Sequence, residues 1–389
     1  MNLLHEADLW NAKMRKFVEE EMVPYEYLLP KFLNELPEDI VNHIFSEMKK
    51  QGLWAPSAPK EYGGQSLPSV TYLGWREALG RTALWSVMGV VLENPMYILY
   101  SASEKQKERY LYPTIRGEKL GGFAQTEPEA GADPARMTCY ATRKGSGWVI
   151  NGVKKFIGYG GYVDYCLVYA KTDPEKGRDG ITCFIVDKDT PGFNPTEQIA
   201  TMGGDQPWYI RFDDCYVSDE QVLGNIGEGF NIAQTWFTRN RYMLQSPICL
   251  GAVSRAIDEL LKHFPDKVDP EWLGRVQAEY RRARFLMYNA AYKFDNGEDA
   301  RYDAALSKLA SNKLSMEVFR RALEISGPYG YAVGTVFERY YRDLRRFPIT
   351  EGSTETMKLL ASRSLIRGYE EVDRLSPYNV HEEVKHVSQ

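Results

Sequence analysis

Near the end of the chain one carboxylate, Glu351, stands directly before Gly352 and Ser353 and shortly after Arg342, Arg345 and Arg346. A carboxylate becomes a useful general base when its surroundings bring its pKa toward the working pH. On residue types alone, an acid that caps a helix or pairs with one of those arginines is the commoner explanation. Other chemistries are poorly supplied. The five histidines, His5, His43, His263, His381 and His386, are scattered, so a Ser-His-Asp hydrolase has little to build on. His381 and His386 lie five apart in a charged tail, where two ligands on one helical face would be four apart. Cys139, Cys166, Cys183, Cys215 and Cys249 show no C-x-x-C spacing and read as small buried apolar residues. No metal is expected. Gly224-Asn225-Ile226-Gly227-Glu228-Gly229 has neither the G-x-G-x-x-G order nor a Walker lysine, and reads as a turn into a helix from about Phe230.

These residues need a scaffold. A chain of 389 residues suits two or three packed domains better than one core. With 43% hydrophobic and 26% charged residues it has the make-up of a soluble globular protein. A net charge of −5 speaks against nucleic acid or an anionic membrane as the main partner. The longest apolar run, near Leu84 to Leu92, falls short of the roughly 20 residues a membrane span needs. The first residues lack a signal-peptide hydrophobic stretch, so a cytoplasmic protein is expected.

Residues 1–117 read as helical. Val18 to Met22 leads to a stop at Pro24, and Ile40 to Gln51 repeats apolar residues at helical spacing before Gly52. Ser103 and Gln106 have capping-box spacing. The texture changes near Gly121. Trp148-Val149-Ile150 before Asn151-Gly152 predicts a tight turn at the Asn-Gly pair. Tyr165 to Ala170, Ile181 to Val186 and Ile210 to Val217 read as strands. From about Phe230 the helical period returns, with Leu306, Leu309, Ala310, Leu314, Val318 and Ala322 forming one apolar stripe toward a bundle core. Helices, then strands, then helices make an α+β chain with segregated elements. The expected domains are an N-terminal helical domain over 1–117, a middle β domain over 118–228 and a C-terminal domain resembling a four-helix bundle over 229–389.

Thr126-Glu127-Pro128-x-Ala130-Gly131-x-Asp133 resembles the T-E-P-x-A-G-S-D signature of the FAD-dependent acyl-CoA dehydrogenases. Pro59-Lys60-Glu61-Tyr62-Gly63-Gly64 resembles the family's P-x-x-Y-G-G turn. Gly147-Trp148-Val149-Ile150-Asn151-Gly152-x-Lys154-Lys155-Phe156-Ile157 is similar to its G-Y-x-L-N-G-x-K-x-W/F-I hairpin. Leu223-Gly224-x-x-Gly227-x-Gly229-Phe230 and Arg342-Asp343…Ile349-x-Glu351-Gly352 complete the series in order, from about residue 10 to 370. The resemblance implies a helical domain, a β domain and a helical bundle, with FAD between the last two and a partner subunit contributing.

It also implies the reaction, α,β-dehydrogenation of an acyl-CoA thioester. Glu351 would take the α-proton and flavin N5 the β-hydride, with electrons passing to an electron-transfer flavoprotein or similar acceptor. The α C–H is too weak an acid for an unaided carboxylate, so the thioester oxygen must be polarised. In this family the donors are a flavin ribityl hydroxyl and the backbone N–H of the catalytic glutamate. Carried over by residue, Phe123, Gln125 and Thr126 match positions along the flavin ring and its edge. Gly131 and Ala132 match positions close to the cofactor, and Phe156, Ile157 and Gly158 match the stretch against the ring. Ser353 and Glu355 also match cofactor positions, while Arg241 and Gly352 match the acyl-CoA side. Some relatives place the base just before that arginine; here Asn240 closes that route.

Four departures stand out. Ala132 replaces the serine usual after Gly131, and Gly158 the usual threonine or serine. The R-x-x-F-G signature is absent from the stretch Lys262 to Gln277, and the usual Q-x-x-G-G-x-G-Y is Glu324-Ile325-Ser326-Gly327-Pro328-Tyr329-Gly330-Tyr331. The last two affect the surface that completes a neighbour's cofactor site. A homodimer or homotetramer holding FAD by other contacts, through Arg255, Arg275 or Arg281, is the default; a hetero-oligomer with a related chain is the alternative. Enoyl-CoA reduction, an acyl-CoA oxidase reaction, or a subunit kept only for assembly are the competing functions.

Overall fold

The computed structural model describes residues 2–87, 96–131 and 133–363. Ala132, His381 and His386 lie outside the described residues. The N-terminal part is built on α1 (Asn2–Phe17), α2 (Glu38–Lys50) and α3 (Ser69–Leu79). Every residue of α3 is buried, so it forms the axis of this part. Its Gly74 lets α1 approach closely, since a Cβ there would lie 1.9 Å from the Ala7 carbonyl oxygen. Pro24 does not end the chain's helical course. The helix passes into a π-turn at Val18–Met22 and then a 3₁₀ turn at Val23–Leu28, where Pro24 sits in the first turn and its missing N–H costs nothing. Ser103 and Gln106 form the capping box in both directions, at 3.3 and 3.1 Å.

The sheet contains β1 (Gly121–Ala124), β2 (Tyr140–Lys144), β3 (Gly147–Ile157), β4 (Tyr165–Lys171), β5 (Ile181–Asp187), β6 (Phe193–Gln198), β7 (Trp208–Ser218) and β8 (Val222–Leu223). Its order is β6-β7-β3-β2-β4-β5-β8, with β1 alongside β4 in parallel. β4 and β5 are buried on both faces, which explains their unbroken apolar runs. The expected turn at Asn151-Gly152 is instead the middle of β3; the β2–β3 turn lies at Gly145-Ser146. Gly152 marks a register shift against β7, and a Cβ there would come within 2.7 Å of Cys139 Cα. An Asn-Gly pair inside a strand thus serves a bulge rather than a hairpin. All five cysteines are free and buried.

The chain then returns to helices: α4 (Gly229–Asn240), a π-turn at Arg241–Gln245, α5 (Ser246–His263), α6 (Pro270–Asp295), α7 (Arg301–Ser326) and α8 (Val336–Leu344). Residues 354–363 are helical again. On α7 the expected apolar stripe is only half right. Leu314, Val318 and Ala322 are buried, but Leu306, Leu309 and Ala310 are half-exposed. The buried face is turned toward Ser307, Lys308, Ser311, Asn312 and Ser315. It is polar because it meets polar partners: Ser307 and Ser311 hydroxyls bond that of Ser246 on α5 at 2.8 and 3.1 Å. Among the described residues no helix is long and apolar enough to cross a membrane.

Candidate active site

Residues of the sheet and the C-terminal helices together line a cavity of about 1150 Å³. From β1, β3 and the segments that follow them come Phe123, Gln125, Thr126, Gly131, Phe156 and Gly158; from α4 and the π-turn come Trp236, Phe237, Asn240, Arg241 and Met243; from the loop after α8 come Thr350, Glu351, Gly352 and Ser353. Two expected residues lie off it. Ile157 is buried in the core, while Phe156, at a register shift of β3 against β7 and with φ +59°, takes the open side, 52% exposed. Glu355 is exposed and pairs with Lys358 at 2.8 Å.

The sheet side is held by a buried ion pair. Lys154 on β3 and Glu127 meet at 2.8 Å with both side chains fully buried. The same carboxylate accepts from the Thr138 N–H, the Thr138 hydroxyl and the Cys139 N–H, at 2.6, 2.8 and 3.0 Å. Lys154 also donates to the Gln125 carbonyl at 3.1 Å, which fixes the segment running along the cavity. Phe123 stacks on Trp236 at 6.1 Å and meets Phe237 edge-on at 5.3 Å, so this end is aromatic. The Gln125 amide oxygen is buried and finds no hydrogen-bond partner among the described residues.

Glu351 has a left-handed backbone, φ +54°, ahead of Gly352 at φ +94°. Its carboxylate oxygens are held one each by neutral amides: Asn240 Nδ2 to Oε1 at 3.4 Å and Gln245 Nε2 to Oε2 at 3.0 Å. Gln245 also reaches the Thr350 hydroxyl at 3.3 Å. Residues five apart face different ways on an α-helix. The i→i+5 bonding of the π-turn brings Asn240 and Gln245 onto one carboxylate. Arg241 Nε donates to the Glu351 carbonyl at 3.1 Å, and Lys308 donates to the carbonyls of Thr350 and Gly352. Among the described residues Glu351 makes no ion pair; Arg342 pairs with Glu338 and Arg346 with Asp205. Burial raises the Glu351 pKa above the ordinary carboxylate value, and the charges of Lys308, Arg241 and Arg346 only partly offset it. Burial also pushes Lys308 down to about 8 and Arg241 down to about 10.

Gln245 and Lys308 escape sequence reasoning. The π-turn that delivers Gln245 leaves no mark in the hydrophobic pattern. Lys308 had a signal, because Ser307, Lys308, Ser311, Asn312 and Ser315 recur at helical spacing as a polar stripe. At the altered Glu324 motif, Arg320 and Arg321 both reach the Glu324 carboxylate and offset its charge. Of the arginines considered for FAD, Arg255 is nearly buried beside Glu259 at 2.9 Å and Arg275 pairs with Glu317 at 3.2 Å. Arg281 is exposed.

The chain belongs to the acyl-CoA dehydrogenase family. Family models for the acyl-CoA dehydrogenase N-terminal, middle and C-terminal domains match residues 5–118, 122–215 and 227–366. A 3-(aryl)acrylate reductase of Clostridium sporogenes is 32% identical over 94% of this chain and the whole of that protein. The caffeyl-CoA reductase–Etf complex subunit CarC of Acetobacterium woodii is 31% identical over 91% of this chain and 96% of that protein. Among solved structures, butyryl-CoA dehydrogenase from Megasphaera elsdenii superposes with a TM-score of 0.83 at 26% identity, covering 93% of this chain and 98% of that one. Membership of this family makes the chain an oxidoreductase that uses FAD. Among the described residues the cavity fits that cofactor: an aromatic wall, an amide oxygen on Gln125 without a partner, and Gly131 and Gly158 with open space where a Cβ would stand.

Proposed function

We propose that this chain catalyses α,β-dehydrogenation of an acyl-CoA thioester, with Glu351 as the base that removes the α-proton. The observation that carries the reading is that Glu351 lines the same cavity as Phe123, Gln125 and Phe156. Phe123, Gln125, Thr126, Gly131, Phe156, Gly158 and Ser353 are the residues that would hold FAD, and when bound FAD supplies the hydride acceptor. Glu351 must be ionised to accept a proton, and Asn240 and Gln245 orient its two oxygens. Phe123, Trp236 and Phe237 pack together as an aromatic wall of the cavity, which would keep water from a bound acyl chain. Arg241 lines the acyl side with Gly352 and anchors the base's backbone.

The reverse direction, enoyl-CoA reduction, is the second reading, favoured by the two relatives named as reductases. The raised pKa of Glu351 suits it too, since the protonated acid could return a proton to the α-carbon. An electron-transfer flavoprotein is the partner we propose, on the strength of the Etf complex named for the Acetobacterium woodii relative. A homodimer or homotetramer is the proposed assembly.

The test is anaerobic mixing of the holoenzyme with a panel of saturated CoA thioesters, followed by flavin absorbance. At least one is expected to bleach the flavin. Glu351→Gln is expected to slow that bleaching by about 10²- to 10⁴-fold. Undiminished turnover in this variant would refute the assignment of the base.

A further inference from the structure

The loop that carries Glu351 is fastened from behind. Lys308 on α7 is 1% exposed and is not among the residues lining the cavity. Its ammonium donates to the carbonyl of Thr350 and to that of Gly352, the latter at 2.6 Å. Arg241 donates to the carbonyl between them. Three consecutive carbonyls are thus taken by two buried cations from separate helical segments. A buried ammonium is costly unless its hydrogen bonds are met. Cavity-free packing at this position would be served more cheaply by a leucine or methionine.

Two consequences follow from elementary geometry. A trans peptide is planar, with its C=O and N–H pointing opposite ways. Turning the Thr350 carbonyl toward Lys308 therefore turns the Glu351 N–H away from that ammonium, and Lys308 is not a lining residue of the cavity whereas Glu351 is. Glu351 also keeps φ +54°, a conformation a glutamate holds only when its surroundings enforce it. We propose that Lys308 is a positioning residue for proton abstraction: clamped between the carbonyls of Thr350 and Gly352, it holds Glu351 in its left-handed conformation and aims the carboxylate and the Glu351 N–H into the cavity. This deepens the proposed function and rests on Glu351 being the base.

The charged groups around the base are Lys308 from α7, Arg241 from the π-turn and Arg346 beyond α8; those around Lys308 are Glu351 and Arg241, with the neutral, buried Cys249 thiol of α5 as the further titratable neighbour. Lys308→Met in the holoenzyme keeps the length of the side chain and deletes the ammonium. FAD content and KM are expected to stay near wild type while kcat falls about 10- to 100-fold. The acid limb of the kcat profile is expected to move to higher pH, because a cation that favours ionised Glu351 is gone. Lys308→Arg, which restores the charge, is expected to return the limb part of the way. An unchanged kcat with an unmoved acid limb in Lys308→Met overturns the proposal. If that variant does not accumulate as a folded flavoprotein, Lys308→Gln, neutral but still a donor, is read in the same way. Glu351→Gln measured alongside separates the two failures. Full turnover there removes the base and the strap together; loss there beside an unaltered Lys308→Met removes the strap alone.

Discussion

Replacing Lys154 by methionine should loosen the segment from Gln125 to Cys139 from the rest of the sheet. The lysine and Glu127 are both fully buried and 2.8 Å apart, so deleting one charge strands the other. Breaking a buried pair from one side costs about 3–5 kcal/mol. Here the carboxylate keeps its bonds from Thr138 and from the Cys139 N–H, which places the expected loss near the lower end, about 3 kcal/mol. The double variant Glu127→Gln with Lys154→Met removes both charges and should lose less than the two single losses combined. Guanidinium unfolding, read by tryptophan fluorescence and by FAD release, measures wild type, both single variants and the double variant. The pH dependence is a second check. Burial alone would raise the Glu127 pKa, but Lys154 and the Thr138 donors outweigh it and hold the group below its ordinary value. A depressed carboxylate contributes stability above its unfolded pKa and loses it as pH falls through the folded one. The gap between wild type and Lys154→Met should therefore be full at neutral pH and close in acid. A loss below about 1 kcal/mol at neutral pH, the range of an exposed pair, would refute the reasoning.

Two further perturbations probe Glu351 as the proposed base. Gln245→Leu removes the 3.0 Å donor to Glu351 Oε2, so the pKa of Glu351, already raised by burial, should rise further. Dehydrogenation needs the ionised form, so kcat should climb with pH through an acid limb above the ordinary carboxylate value, and that limb should lie higher still in the variant. A lost bond to a charged group is worth about 1.5–3 kcal/mol, so turnover below the limb should drop roughly tenfold or more; coincident pH profiles would contradict this. Gly352→Ala places a Cβ 2.5 Å from Met357 Cε and 3.3 Å from Arg241 Nη2 at φ +94°. The methionine tip can move but the backbone strain cannot be relieved, so thermal unfolding should report a loss of about 1–2 kcal/mol, with reduced kcat.

What could be read from the letters was whatever local chemistry decides. The capping box of Ser103 and Gln106 needs only its own residues, and the apolar runs of β4 and β5 announce strands covered on both faces. Features decided by distant partners were hidden. Asn151-Gly152 has the form of a hairpin turn, yet Gly152 is required by Cys139 on the neighbouring strand, and the pair becomes a bulge. On α7 the leucines suggested the buried face, but Ser246 and the carbonyls at 350 and 352 draw its polar side inward. Phe156 and Ile157 are adjacent in sequence, yet at the irregular end of β3, where Phe156 has φ +59°, one faces the cavity and the other the core. Gln245 had no local signal, since a π-turn shifts facing by one residue without changing composition.

The surroundings of Glu351 pose a question of sign. One acid stands among Lys308, Arg241 and Arg346, and cations ordinarily pull a carboxylate pKa down and weaken it as a base. Here the net direction is upward because burial outweighs those charges, and the hydrogen bonds show where the cations are engaged instead. Lys308 and Arg241 spend their donors on the backbone carbonyls of residues 350 to 352, and Arg346 is engaged by Asp205 at 2.6 Å. Among the described residues, the neutral amides of Asn240 and Gln245 are the hydrogen-bond donors to the carboxylate itself. Positioning and tuning are thereby assigned to different groups: charge fixes the loop, while amides orient the oxygens without the full stabilisation an ion pair would give. Had Arg241 closed on the carboxylate instead of the carbonyl, the same residues would have produced a salt bridge and a poorer proton acceptor.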